Sequence, residues 1–149
     1  MRNGERIKRF ASLIKLYRER ERALVKKFRA AQTAHDREAA QLGNLDQLRG
    51  EYREQLASAA ENGVSGAELK NWRRFINGLD ELRREQQVRA ERTAQAKDLR
   101  KDDWLNGHRR VRGFETLDEK LKANGREAEA RGEQKRMDEI AARSGKSRT

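Results

Sequence analysis

The sequence predicts an all-α fold, a long antiparallel two-helix coiled-coil hairpin, and three observations support this prediction. Of the 149 residues, 41% are charged and only 34% are hydrophobic, whereas a compact domain usually contains about 45–50% apolar residues. Proline is absent, and the commonest residues are strong helix formers. One strong break, near residues 62–66, separates two long stretches of helical pattern. We therefore predict one coiled-coil domain over residues 1–149.

The first helix is predicted over about residues 6–60, after a polar N-terminus that we expect to fray. Its seam advances in alternating steps of four and three, which is the heptad spacing of a left-handed coiled coil. His35 and Glu38 make the middle of the seam polar. The steps from Tyr17 to Leu24 to Phe28 predict a stutter in the heptad register near residues 20–24. The seam residues are Leu24, Phe28, Ala31, His35, Glu38, Leu42, Leu45, Arg49, Tyr52 and Leu56.

The predicted turn occupies residues 62–65 and carries several local signals. Gly63 suits the left-handed conformation that follows a helix C-terminus. Ser65 and Glu68 match a capping box, with Ser65 as the N-cap residue of the second helix. Val64 and Leu69 stand where a hydrophobic staple would form. These signals predict a tight reversal of the chain.

The second helix is predicted over about residues 66–141, followed by a frayed basic tail at residues 142–149. Large apolar residues nearly vanish from Gln86 to Lys101 and then return. The seam residues are Leu69, Trp72, Ile76 and Leu79, and later Trp104, Val111, Phe114, Leu117 and Leu121.

Folding the chain at the turn predicts which residues face each other. Tyr52 falls opposite Ile76, Leu24 opposite Trp104, and Tyr17 opposite Val111, while the polar His35 falls opposite Thr93. Large residues thus oppose large ones. The last ~20 helical residues, about 30 Å at 1.5 Å each, have no partner in the chain.

The charge balance favours an acidic partner. The net charge is +11 and the isoelectric point is about 10.4, which suits a nucleic acid or an acidic protein surface. The basic residues form clusters without a recognisable nucleic-acid-binding motif. Because cysteine is absent, no disulfide and no thiolate metal site can form. No run approaches the ~20 apolar residues of a membrane span and no signal peptide is recognisable, so we expect a cytoplasmic protein.

No residue pattern predicts catalysis. Acidic residues are plentiful, but a thin helical hairpin offers no pocket that would perturb their pKa values or exclude water. His35 and His108 lie in different helices and far apart in the predicted register. The turn lacks the lysine of a phosphate-binding loop. We predict no enzyme activity, no catalytic residues, no cofactor and no metal site.

The residues near the turn indicate a binding function instead. One seam cannot bury all the large side chains that crowd there, so Leu48 and Phe75 are predicted to be partly exposed. An exposed apolar patch on a highly charged chain is typical of a docking site.

Three segments resemble a known family, the flagellar export protein FliJ. The first is Tyr52 followed by the run Trp72-Arg73-Arg74-Phe75-Ile76-Asn77-Gly78-Leu79, and the second is Trp104 followed by Phe114 and Leu117. The third is the ending from Glu133 to Ala141. The resemblance covers roughly residues 41–143.

The resemblance implies a soluble stalk protein of the flagellar type III export apparatus. Members of this family sit in the pore of the hexameric export ATPase, link it to the export gate protein FlhA, and cycle export chaperones. They associate peripherally with the inner face of the cell membrane at the flagellar base. Enzyme activity and specific nucleic-acid binding are not implied.

The resemblance also assigns two surfaces by position. The surface for the export gate comprises Gln41, Leu45, Leu48, Tyr52, Phe75, Leu79, Leu82 and Gln86. Leu48 stands where the family can have an aromatic residue, and Gln86 where it can have a histidine. The hypothetical contact with the ATPase ring comprises Phe10, Leu13, Tyr17, Trp104, Phe114 and Met137.

Two alternatives remain at this point. One is the equivalent stalk of a virulence injectisome, although the ending at residues 138–141 favours the flagellar system. The other is a basic coiled-coil protein that binds nucleic acid, for which a steep loss of affinity with salt would be expected.

Overall fold

The computed structural model describes residues 2–146, with side chains from Gly4 to Gly145. It contains two helices, α1 (Arg2–Glu61) and α2 (Gly66–Lys146), and no strand within the described residues. The two long helices pack against each other in opposite directions, as the cross-helix contacts below show. The predicted all-α hairpin is confirmed.

Both helices extend beyond their predicted outer ends. α1 begins at Arg2 rather than near residue 6, and α2 continues to Lys146 rather than to about residue 141. Nothing in either segment stops a helix, because proline is absent, and Glu5 favours the positive end of the helix dipole in the first turn of α1. The end of the predicted frayed tail, residues 147–149, lies outside the described residues.

The turn has the predicted conformation. Gly63 adopts a φ of 83°, a left-handed value that glycine adopts without the strain a side chain would bring. The backbone N–H of Glu68 donates a hydrogen bond of 3.2 Å to Oγ of Ser65, which is therefore the N-cap residue of α2. Val64 and Leu69 are both half-buried, as a hydrophobic staple requires.

The chain divides into two compact units. The terminal unit combines Met1–Ala23 with Leu105–Thr149, and the turn unit is Leu24–Trp104. Each unit therefore contains a part of α1 and a part of α2.

The turn unit has a thin apolar seam. Ile76, Leu79 and Ala90 are its buried apolar residues, each less than 10% exposed. Trp104, predicted opposite Leu24, stacks on Phe28 one turn later, with 5.9 Å between ring centroids. The seam thus contains large side chains at both ends of the unit and small ones between.

A polar layer fills the middle of this seam. His35 lies 3.2 Å from the hydroxyl of Thr93, which confirms their predicted opposition. The Thr93 hydroxyl also donates to the backbone oxygen of Ala90, 2.9 Å away. The amide of Gln86, 6% exposed, donates to the backbone oxygen of Glu38 at 3.0 Å and also to its carboxylate. Every one of these polar groups therefore has a partner across or along the helix pair.

The seam of the terminal unit is aromatic. Ile14 and Val111 are buried, and the ring of Phe114 stacks on Tyr17 at 4.8 Å and meets Phe10 edge-on at 6.4 Å. From Glu133 to Gly145 every residue of α2 is exposed, as expected for a segment beyond the end of the predicted pairing.

The predicted stutter between Tyr17 and Leu24 is wrong. Glu21 is half-buried, four residues after Tyr17 and three before Leu24, so the heptad spacing continues through it. Its carboxylate accepts a hydrogen bond of 2.7 Å from Nδ1 of His108. The seam position is filled by a charged residue with a polar partner on α2, and an apolar pattern does not reveal such a position.

Candidate binding surfaces

The turn unit has an ion-paired side. Arg49 and Asp80 approach to 2.6 Å, Arg53 adds a longer contact of 3.9 Å to the same carboxylate, and Arg83 pairs with Asp46. All these pairs join α1 to α2. Because a helix turns about 100° per residue, Asp46, Arg53 and Asp80 project to the same side of the seam.

The opposite side of the turn unit is apolar. By the same helix geometry, Gln41 and Leu48 on α1 project to this side together with Phe75 and Leu82 on α2. Leu48 is 37% exposed, Phe75 47% and Leu82 52%. We call these four residues the tip face. Three large apolar side chains in contact with water on one side of a helix pair indicate a docking surface.

Two shallow grooves flank Phe75 on the tip face. Tyr52, Asn71 and Trp72 line the first, of about 340 Å³, together with Glu68. Tyr52 supports Phe75 there, with ring centroids 4.6 Å apart in a T-shaped arrangement.

The second groove, of about 450 Å³, runs from Phe75 to Leu82 and is also lined by Asn71, Arg74 and Leu79. Gly78 also lines this groove, and an added Cβ there would meet no atom within 4 Å. Close packing inside the hairpin therefore does not require glycine at this position.

The structure divides the eight residues predicted for gate binding into three groups. Gln41, Leu48, Phe75 and Leu82 are exposed, and Leu45 and Tyr52 are half-buried. Leu79 and Gln86 are buried, at 6% each, so their side chains support the surface from within. Gly78 and Asn71 were not predicted, although they lie three residues after and four before Phe75, the spacing of one helix face.

The residues predicted for ring contact also differ in position. Phe114 packs on both Phe10 and Tyr17 in the terminal unit. All three are half-buried, as is Leu13. Met137 is 67% exposed. Trp104 belongs to the turn unit, where it stacks on Phe28.

The terminal unit has an ion-paired side of its own. Arg18 donates to the carboxylate of Glu115 at 3.0 Å, and His108 contacts Glu21 at 2.7 Å. A groove on this side is lined by these four residues and by Arg22, Val111 and Arg112. Most of its charge is therefore balanced within the hairpin.

The described residues offer no obvious centre for metal chemistry. Within residues 2–146, His, Asp and Glu side chains nowhere form a group of three or more that could hold a metal ion. His35 and His108 belong to different units. In the same part of the chain, neither helix combines the length and hydropathy that a membrane span requires.

Comparison with known proteins identifies the family. The family model described as flagellar FliJ protein matches residues 6–149. The flagellar FliJ protein of Salmonella typhi is 30% identical over 103 residues, which cover 69% of this chain and 70% of the relative. That of Escherichia coli (strain K12) is 29% identical over the same shares. No solved structure gives a significant match. Because the family model spans nearly the whole sequence, the chain belongs to the flagellar FliJ protein family.

Proposed function

We propose that this chain is a component of the flagellar type III export apparatus, in which it acts as a central stalk of the export ATPase ring. In this proposal it links the ring to the export gate protein FlhA and to export chaperones, at the inner face of the cell membrane. Membership of the FliJ family supports the flagellar role. The observation that carries the linking role is the tip face, an unpaired apolar surface opposite a row of ion pairs.

The tip face suits a protein partner at the gate. Burying a large apolar side chain contributes about 1.5–3 kcal/mol, and Leu48, Phe75 and Leu82 each retain a third to a half of their exposure. Phe75 is also held by Tyr52, so little side-chain freedom is lost on docking. Leu79, buried below Phe75 and Leu82, would position the surface without touching the gate.

The ATPase ring would receive the other end of the chain. Residues 133–145 of α2 are exposed, including Met137 and Ile140, which are 67% and 63% exposed. The half-buried cluster of Phe10, Tyr17 and Phe114 would keep the two helices together there. An exposed helix end of this kind is available for packing against a ring.

The first experiment measures ATP hydrolysis by the cognate flagellar export ATPase with and without the chain. We expect clear stimulation by the full chain and its loss after truncation following Gly132. This truncation removes only the exposed end of α2, so the seam remains, and circular dichroism controls for folding. Absence of both stimulation and co-elution with the ATPase would refute the stalk role.

A further inference from the structure

The net charge of the chain is concentrated in the terminal unit. Residues 1–23 and 105–149 contain 20 of the 36 Lys and Arg residues and 11 of the 25 Asp and Glu residues. The terminal unit therefore carries most of the net charge of +11, although it is less than half of the chain. Its ion-paired side, with Glu21 and Glu115, uses acidic residues to balance its arginines.

The other side of the terminal unit combines arginine with exposed leucine. We call this side the basic face, and it is formed by Arg6, Arg9, Leu13, Leu16, Arg20 and Leu117. Helix geometry places all six on the side of the seam opposite to Arg18 and Arg22. Leu16 is 43% exposed and Leu117 is 47% exposed.

Two shallow grooves on the basic face share Arg9. One, of about 420 Å³, is lined by Lys8, Arg9, Ser12, Leu13 and Leu16. The other, of about 390 Å³, is lined by Arg6, Arg9, Phe10, Leu117 and Leu121. Neither groove has an Asp or Glu among these lining residues.

Arg20 extends the basic face over the aromatic seam. Its guanidinium lies 5.2 Å from the centre of the Tyr17 ring, in the range of a cation–π contact. Arg20 is therefore held by a ring rather than by a carboxylate, and its charge stays available to an anionic partner.

We propose that the basic face binds the surface of a membrane that contains anionic lipids. Arginine beside exposed leucine is the composition of helices that lie in a membrane interface, with the leucines in the headgroup region and the guanidinium groups on the phosphates. Basic side chains near such a surface each strengthen binding. The complementary charge and the exposed leucines fit this partner.

Two other acidic partners fit the basic face less well. A nucleic acid is bound through phosphate contacts, which leave the exposed Leu16 and Leu117 unexplained. A protein partner is usually oriented by complementary charges of both signs, whereas the two grooves are lined by one sign only. The surface of an anionic membrane is uniform in the membrane plane, so a protein that binds it does not need charges of both signs to set its orientation.

This proposal goes beyond the stalk function and does not depend on it. Leu13 belongs both to the basic face and to the residues assigned to the ATPase ring. The basic face of one chain would therefore bind either the membrane or the ring, but not both at the same time. The test below contains no ATPase, and its result is therefore separate from the outcome of the stalk experiment.

The experiment sediments the full chain with vesicles of phosphatidylglycerol mixed with phosphatidylcholine, and with pure phosphatidylcholine vesicles as the neutral control. We expect binding only to the anionic vesicles, and weaker binding as salt rises. The test variant is Arg9→Glu/Arg20→Glu. Its matched control is Arg22→Glu/Arg112→Glu, which changes the net charge equally on the ion-paired side.

The test variant should bind anionic vesicles at least about 20-fold more weakly, because each lost arginine accounts for roughly fivefold in affinity. The control should bind nearly as well as the unchanged chain. An equal loss in both variants would mean that only total charge matters, and would overturn the proposal. Circular dichroism of both variants verifies that the helices remain.

The leucines give an independent test. Leu16→Gln should weaken vesicle binding about fivefold, while Leu99→Gln, at a 62% exposed position of the turn unit, should not. The proposal is overturned if neither substitution changes binding, or if anionic vesicles fail to bind the unchanged chain. It is also overturned if Arg9→Glu/Arg20→Glu abolishes binding to duplex DNA but leaves vesicle binding intact.

Discussion

Gly78 is a single residue whose replacement should move stability and binding in opposite directions. An added Cβ meets nothing within 4 Å in the hairpin, and glycine inside a helix costs about 1 kcal/mol relative to alanine. Gly78→Ala should therefore raise the free energy of unfolding by roughly that amount. The same methyl group would be added to the lining of the groove that also contains Phe75 and Leu82, so affinity for the gate protein should fall. Urea unfolding and calorimetric titration with FlhA measure the two effects.

Gly50→Ala is the control for Gly78→Ala. A Cβ at Gly50 also meets nothing within 4 Å, so its effect on unfolding should be similar, but Gly50 does not line either groove of the tip face. Gate affinity should be unchanged. If the two variants bind the gate equally, the groove at Gly78 is not used.

Leu79 and Leu82 are three residues apart but should respond differently to truncation. Leu79 is 6% exposed and Leu82 is 52% exposed. Leu79→Ala should lower the free energy of unfolding by about 2–3 kcal/mol through a cavity in the seam, whereas Leu82→Ala should change it by less than about 1 kcal/mol. Thermal and urea unfolding compare the two, and an equal effect would contradict the observed burial.

The sequence predicts this difference only in part. The heptad pattern identifies Leu79 as a seam residue, yet the resemblance to the FliJ family assigns it by position to the same surface as Phe75 and Leu82. Gln86 was grouped with them in the same way and is buried against Glu38. Burial depends on the partner helix, which a single-helix pattern does not contain. Side chains that flank a thin seam and those that fill it can therefore be told apart only after the hairpin is assembled.

The cap of α2 is the element that the sequence predicts best, because every signal is local. Ser65→Ala removes the acceptor of the Glu68 N–H and should lower the free energy of unfolding by about 1 kcal/mol. Ser65→Asp retains an acceptor and a favourable charge at the helix N-terminus, so it should restore stability. Urea unfolding of the three proteins tests the cap. Equal stability of the Ala and Asp variants would contradict it.

The pairing of α1 with α2 near the turn should depend on Asp46 and Arg83. Their side chains are 45% and 30% exposed, so the pair contributes less than about 1 kcal/mol. Asp46→Arg and Arg83→Asp should each destabilise the hairpin through like charges, and the double exchange should recover most of the loss. A double-mutant cycle by urea unfolding at low and high salt measures this coupling. A coupling of zero at low salt would show that the pair does not join the helices.

At the scale of the whole molecule, the two binding ends should be separable. Phe75→Ala/Leu82→Ala removes two exposed side chains of the tip face and leaves the buried seam intact. Gate binding should fall at least about 30-fold, since each of the two side chains loses about one to two kcal/mol of burial. Stimulation of the export ATPase should stay nearly unchanged, because the substitutions lie in the turn unit, far along the sequence from the exposed end of α2.

Truncation after Gly132 should give the converse result. It removes the exposed residues of α2, including Met137 and Ile140, and keeps every seam residue of the turn unit. ATPase stimulation should be lost and gate binding retained. Each variant is measured by calorimetric titration with FlhA and by a phosphate-release assay with the ATPase. The two-ended model predicts all four results: the tip-face variant loses only gate binding, and the truncated chain loses only ATPase stimulation. If either variant lost both activities while circular dichroism showed intact helices, the gate and the ring would have to share one surface of the chain.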